Sequence, residues 1–282
     1  LTEHSGVSIQ YYSRTEIAGI RRAGQVVMAI LEELRQAVRP GITTAALDAL
    51  AVRELKRHGA TSNFKGYTPI QGIKPFPGVI CASVDETIVH GIPGRYALRE
   101  GDILSIDFGA VVDGWHGDSA ITVPVGAISA EAQRLLDVTR EALDRGIAAA
   151  RGGNRVMDIS RAIQTYVEGE GFSLVRQYTG HGIGRTLHED PTVPNYVDPK
   201  IANPLLRPGM VMCIEPMVSV GRPGTRELSD RWTVVTADGS LAAHFEHTVA
   251  ITAGAPEVLT AHGVGATAGT ADTAASALVG RS

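Results

Sequence analysis

Four acids stand where an acid is expensive. Asp107 closes the apolar run Asp102-Ile-Leu-Ser-Ile-Asp107, and Glu215 lies inside Val211-Met-Cys-Ile-Glu-Pro-Met217. Asp118 and Glu246 occupy two further stretches rich in Val, Ile and Ala. A carboxylate within an apolar strand costs free energy unless it is paired, hydrogen-bonded or bound to metal. Taken singly, each reads as an edge position or a salt bridge. If the four converge, they cannot all stay ionised without cations. Two divalent ions would balance the charge and hold a hydroxide between them. Carboxylate oxygens with an imidazole suit Mn, Fe, Co or Zn, whereas a structural zinc would want a Cys or multi-His set. Paired ions of this kind activate water and polarise a carbonyl, which is hydrolytic chemistry.

Other motifs narrow the field by exclusion. Gly180-His-Gly-Ile-Gly-Arg185 is neither GxGxxG nor GxxxxGK[ST], so a nucleotide loop is a poor reading. Its glycines are expected to let the backbone pass close to a metal or substrate while His181 points inward. His188-Glu189 is not HExxH, because position 192 is Thr, and His244-Phe-Glu-His247 is no zincin motif either.

The elements that must position these residues recur along the chain. Apolar spacing predicts helices over 14–38 and from Thr44 to His58, with Ser13 or Thr15 capping the first and Pro40-Gly41 stopping it. Strands are predicted at 79–90, 102–112 and 118–125. The order then restarts with helices over 129–151 and 156–170 and strands near 173–181, 209–220, 230–237 and 243–252. Arg39-Pro-Gly41 aligns with Arg151-Gly-Gly153, and the same spacing superposes Gly59 on Gly171, Leu47 on Ile159 and Leu55 on Val167. Each half delivers a histidine and then two acids: His90, Asp107, Asp118, and His181, Glu215, Glu246. Two copies are too few for a solenoid. Two halves closing around a shared site are expected, roughly 13–125 and 126–254 within one domain over 13–260.

Composition sets the outer bounds. The 282 residues carry 26 basic and 30 acidic side chains, a net charge of −4, which gives no broad footprint for nucleic acid or an anionic membrane. Two cysteines make no disulfide framework, and together with the polar opening LTEHSGVSIQ and the lack of a long apolar run they point to a cytoplasmic protein without a membrane span. Residues 1–12 read as a leading segment. Residues 261–282, rich in Gly, Ala and Thr, are expected to be disordered.

His90-Gly-Ile-Pro93, Asp107 and Asp118 within SIDFGAVVDGWHGDSA, GHGIGRTLHEDP, Ile214-Glu-Pro216 and Phe245-Glu-His-Thr248 together resemble the type I methionine aminopeptidases. The likeness covers about residues 13–260. It implies the α/β (α+β) pita-bread fold, with two pseudo-symmetric halves around a dinuclear metal site, and removal of an N-terminal Met that precedes a small residue. By the same resemblance Asp107 would chelate one ion and His181 the other, while Asp118 and Glu246 would bridge them. Glu215 would join His181 and act as general base. His90 would sit near the scissile amide nitrogen, and His188 would stabilise the carbonyl as it becomes an oxyanion. Cys81, Phe76 and Trp232 would form the slot for the thioether. His4, His58, His116, His244, His247 and His262 keep a structural reading.

The chain departs from that pattern in two places. TPIQGIKP over 68–75 is longer than the usual loop, and Leu187 replaces a common aromatic. The partners implied are peptide or nascent-chain N-termini and the ribosome, with no nucleic-acid motif. The rival readings are an Xaa-Pro aminopeptidase or prolidase of the same fold, and a non-catalytic peptide- or ribosome-binding relative.

Overall fold

The computed structural model describes residues 8–69 and 72–261. The first half runs α1 (Arg14–Ala37), α2 (Thr44–Arg57), β1 (Thr61–Ser62), β2 (Ile80–Val84), β3 (Thr87–Val89), β4 (Ile103–Val112) and β5 (Trp115–Pro124). The second begins with α3 (Ala130–Ala149) and α4 (Val156–Gly169). It continues through β6 (Ser173–Leu174), β7 (Gly180–Gly182), β8 (Glu189–Val193), β9 (Val211–Ile214) and β10 (Met217–Ser219). It closes with β11 (Thr225–Glu227), β12 (Val234–Thr236), β13 (Ala242–His244), β14 (Glu246–Ala250) and β15 (Glu257–Val258). No helix of the described residues is long and apolar enough to cross a membrane.

Local chemistry explains the helix ends. Ser13, not Thr15, caps α1, accepting from the Glu16 amide while the Glu16 side chain returns to the Ser13 amide. Gly41 follows with φ of 88°, a left-handed turn that glycine adopts without strain. Thr43 and Ser129 cap α2 and α3 by accepting from the Ala46 and Ala132 amides, without a reciprocal bond because alanine stands at the third helical position.

A nine-stranded antiparallel sheet runs β1-β4-β5-β14-β9-β7-β8, with β2 also on β4 and β15 on β14. The halves join where β5 meets β14, with Ala120 opposite Glu246 and Ser119 opposite His247. Each half keeps its own helix-backed core. Leu104, Ile106, Phe108 and Ala110 of β4 pack with Leu31 and Leu34 of α1, whereas Met212 and Ile214 of β9 pack with Leu135 and Ile163 of α3 and α4. Side chains alternate along a strand, so the odd-numbered Asp107 points away from the first of these cores.

Several long strands expected from composition are broken in the structure. The stretch 79–90 folds back as β2 and β3 through Asp85, whose φ is 51°. The stretch 209–220 divides into β9 and β10 at Glu215-Pro216, where proline has no N–H to give the ladder. The stretch 243–252 divides at Phe245, so that Met217 faces His244 across β10 and β13. The predicted strand 173–181 survives only at its ends, as β6 and β7, and 230–237 only as β12. The strands β1, β11 and β15 have too few residues to carry a period legible in the sequence, and β8, Glu-Asp-Pro-Thr-Val, is polar and holds a proline. All but the first residue of the segment expected to be disordered, 261–282, lies outside the described residues, as do residues 70 and 71 of the long loop.

Candidate metal centre and active site

The broken sheet delivers its polar side chains to one cavity of about 290 Å³. Asp107 comes from β4, Asp118 from the neighbouring β5 and Glu246 from the first position of β14. Glu215 follows β9, His181 is the middle residue of β7, His90 follows β3 and His188 precedes β8. All seven line the cavity, and so do Cys81, Phe76 and Trp232. His90 has φ of 60°, an uncommon conformation for a side chain of that size, and it sits between Tyr178 and Trp232 with ring centroids 5.4 and 6.1 Å away. The indole of Trp232 donates to the Lys74 carbonyl at 2.9 Å and meets Phe76 edge to face, so the long loop is fixed to the apolar wall.

The acids are crowded and poorly served. Among the described residues, Asp107 Oδ1, Asp118 Oδ1 and Glu246 Oε1 are buried without a hydrogen-bond partner. Burial pushes Asp107 up to about 7, with the Glu215 charge adding to the rise and His244 opposing it. Glu215 rises to about 8 by burial. Asp118 and Glu246 are held well above the usual carboxylate range by burial first and by the neighbouring acids next. This is the arrangement that divalent cations relieve. They supply the missing partners of the orphaned oxygens and restore the ionised forms.

One ligand atom each from Asp118, His181, Glu246 and Cys213 lies within 4.8 Å of the others. Asp107 and Glu215 line the same cavity but stand outside this tight group. Glu215 is turned between two imidazoles, with Oε1 3.6 Å from His181 Nε2 and Oε2 3.6 Å from His244 Nε2. His181 Nδ1 sits 2.9 Å from the Gly182 carbonyl, an acceptor only. The ring proton is therefore on Nδ1, and Nε2 keeps its lone pair for a metal. Burial lowers His181 to about 3 and His90 to about 4, so both are neutral.

Three members of the site are not legible in the sequence as such. His244 lies two residues before Glu246, is 2% exposed, and among the described residues neither of its ring nitrogens has a hydrogen-bond partner. In sequence it carries only a structural reading, whereas it lines the cavity; its period-2 spacing from Glu246 within the predicted strand 243–252 is the signal that points there. Tyr67 enters from the loop before β2, with its hydroxyl 2.8 Å from His188 Nδ1. Cys213 reaches the group from β9, two residues before Glu215 and on the same strand face. The glycines beside His181 serve another purpose than the one expected. A Cβ at Gly180 would strike the Cys213 carbonyl, and one at Gly182 the Asp190 carbonyl. Their smallness lets β7 lie against β9 and β8 rather than against a ligand.

The raised acids make the metal-free chain sensitive to alkali. A carboxyl pKa raised by folding stabilises the fold at low pH, and that contribution is lost as pH rises through the folded value. The depressed histidines act oppositely, their stability being lost as pH falls below about 6.5. The two effects offset one another below that pH, and only the acids act above it. The melting temperature of chelator-stripped protein is expected to fall between about pH 6.5 and 8.5, and added Mn²⁺ to reverse most of the fall. A flat profile in calorimetry would show that the acids are not crowded.

Known proteins agree with this geometry. Residues 18–253 match the model of metallopeptidase family M24. Methionine aminopeptidase 1 of Bacillus subtilis is 51% identical over 245 residues, covering 87% of this chain and 96% of that protein. The crystal structure of a methionine aminopeptidase from Thermotoga maritima superposes with a TM-score of 0.85 at 41% identity, over 90% of this chain and 99% of the other. A prolidase from Pyrococcus furiosus, 20% identical, superposes at 0.71 over 89% of this chain and 65% of its own, a likeness of fold alone. With the fold, the buried acids and the sequence all in agreement, the chain belongs to metallopeptidase family M24.

Proposed function

We propose that this chain removes the N-terminal methionine from peptides and nascent proteins whose second residue is small. The observation that carries the reading is one cavity holding four acids, Asp118 and Glu246 buried and Asp107 and Glu215 partly so, with an apolar wall of Phe76, Trp232 and Cys81. The identity to aminopeptidases of that name supports it. Asp107 would hold one divalent ion and His181 with Glu215 a second, while Asp118 and Glu246 would reach both. When bound, such ions supply an activated water and a polarised carbonyl; Co, Mn, Fe and Zn all suit the donor set.

The chain's own residues supply the rest. Glu215 would take a proton from the attacking water and pass it to the leaving amine, near His90. If the Tyr67 hydroxyl donates to His188 Nδ1, the ring proton is on Nε2, and His188 can donate to the developing oxyanion. The wall would take the thioether, an unbranched side chain whose sulfur is well matched to aromatic edges. Nascent chains beside the ribosome, in the cytoplasm, would be the partners.

The test is Met release from Met-Ala-Ser by chelator-stripped protein before and after Mn²⁺ or Co²⁺, with Ala-Pro-Ala as control. Metal-dependent Met release without Ala release is expected. Ala release would move the chain to the Xaa-Pro peptidases, and silence on both peptides would leave a binding protein.

A further inference from the structure

Cys213 is the one member of the tight group that the hydrolytic reading does not use. It is fully buried, and it lies outside the cavity lining, so it approaches Asp118, His181 and Glu246 from behind the wall that substrate would touch. Its strand position requires this. Cys213 pairs with Thr248 across β9 and β14, and these two occupy the row next to Glu215 and Glu246 on the same face. The thiol already leans on a member of the group, within hydrogen-bonding reach of the Glu246 carboxyl. Its other contact is weak: Thr248 Oγ1 spends its proton on the Asp118 carbonyl at 2.8 Å and lies 3.7 Å from the sulfur.

Three further observations point to a cation at this place. Asp118 Oδ1 and Glu246 Oε1 are orphaned and buried, and His181 Nε2 carries a free lone pair. Zinc bonds of about 2.0–2.3 Å to N, O and S set tetrahedral edges of about 3.3–3.8 Å. The four donor atoms already lie within 4.8 Å of one another, so movements of about an ångström would close the shell. Carboxylate-only partners suit hard ions such as Mn²⁺, whereas a thiolate favours thiophilic ions.

We propose that Asp118, His181, Cys213 and Glu246 form a thiophilic cation site for Zn²⁺ or Cd²⁺, in which Cys213 is a direct ligand. The site rests on the reading of this centre as metal-binding and deepens it. Hard ions leave the thiol protonated behind the carboxylates. A thiophilic ion draws the sulfur in, and the S–H bond breaks as the metal–sulfur bond forms, so the thiol releases one proton to solvent for each ion captured, in addition to those that the Asp118 and Glu246 carboxyls give up. No electron is transferred. One centre thereby has two coordination modes, chosen by the softness of the ion.

The experiment is Cd²⁺ titration of the chelator-stripped full chain, read by equilibrium dialysis, near-ultraviolet thiolate charge-transfer absorption and X-ray absorption at the cadmium edge. One sulfur in the first shell and a charge-transfer band are expected. Both should persist in Cys81→Ala and vanish in Cys213→Thr, whose Cd²⁺ affinity should fall by about tenfold or more while Mn²⁺ affinity changes by less than about threefold. Bound Cd²⁺ with only nitrogen and oxygen neighbours would overturn the proposal and leave the metal centre standing. No bound ion of either kind would overturn both. If Cys213→Thr does not fold, the X-ray absorption shell of the Cys81→Ala chain, in which Cys213 is the remaining cysteine, decides alone.

Discussion

Asp118→Asn is expected to cut divalent-ion affinity by about a hundredfold or more and Met-Ala-Ser cleavage by about a thousandfold. Asp118 is 4% exposed on β5, beside the seam between the two halves, and its Oδ1 has no hydrogen-bond partner among the described residues. A neutral amide cannot supply the charge that binding two cations needs. The same change removes one of four mutually repelling acids. The metal-free variant should therefore melt higher than the metal-free parent at about pH 8, where ionising the crowded carboxyls is costly. Loss of function with a gain in metal-free stability separates a ligand from a merely structural acid. Metal analysis, peptide kinetics and calorimetry on one preparation check all three. An Asp118→Asn protein that kept its metal and activity would remove the proposed centre.

Glu215→Gln is expected to lower kcat by about a hundred- to ten-thousandfold, with KM shifted far less, because general-base transfer is lost while the apolar wall remains. Glu215 follows the last residue of β9 and precedes Pro216, so the strand ends where the carboxylate enters the cavity. Its two oxygens each stand 3.6 Å from an imidazole, His181 on one side and His244 on the other. Glutamine keeps the shape but offers no base. Steady-state kinetics on metal-saturated protein is the measurement. A KM effect larger than the kcat effect would assign Glu215 to substrate binding instead.

The physical difference between these two acids explains what a sequence can carry. Asp107 and Glu215 were conspicuous because an acid in an apolar strand is locally improbable. Asp118 and Glu246 became conspicuous through their matching order in the two halves. Helices are equally plain, since their long periodic runs have apolar faces that need no distant partner to be recognised, and Ser13 marks where the first begins. His244, Tyr67 and Cys213 carried no such signal. A buried histidine, a loop tyrosine and an apolar-flanked cysteine are ordinary in sequence and gain meaning only from neighbours far along the chain.

The sequence by itself determined the duplicated plan, the acid set and the family, because each is written in local composition or in repeat order. Only the tertiary structure decided which atoms meet. The breaks at Pro216 and Phe245 and the β5–β14 seam place donors from both halves around one cavity. That seam pairs residues more than a hundred positions apart, and local propensity holds no information about such contacts. The tilt of Glu215 between two imidazoles and the approach of Cys213 from behind follow from that pairing and from nothing nearer.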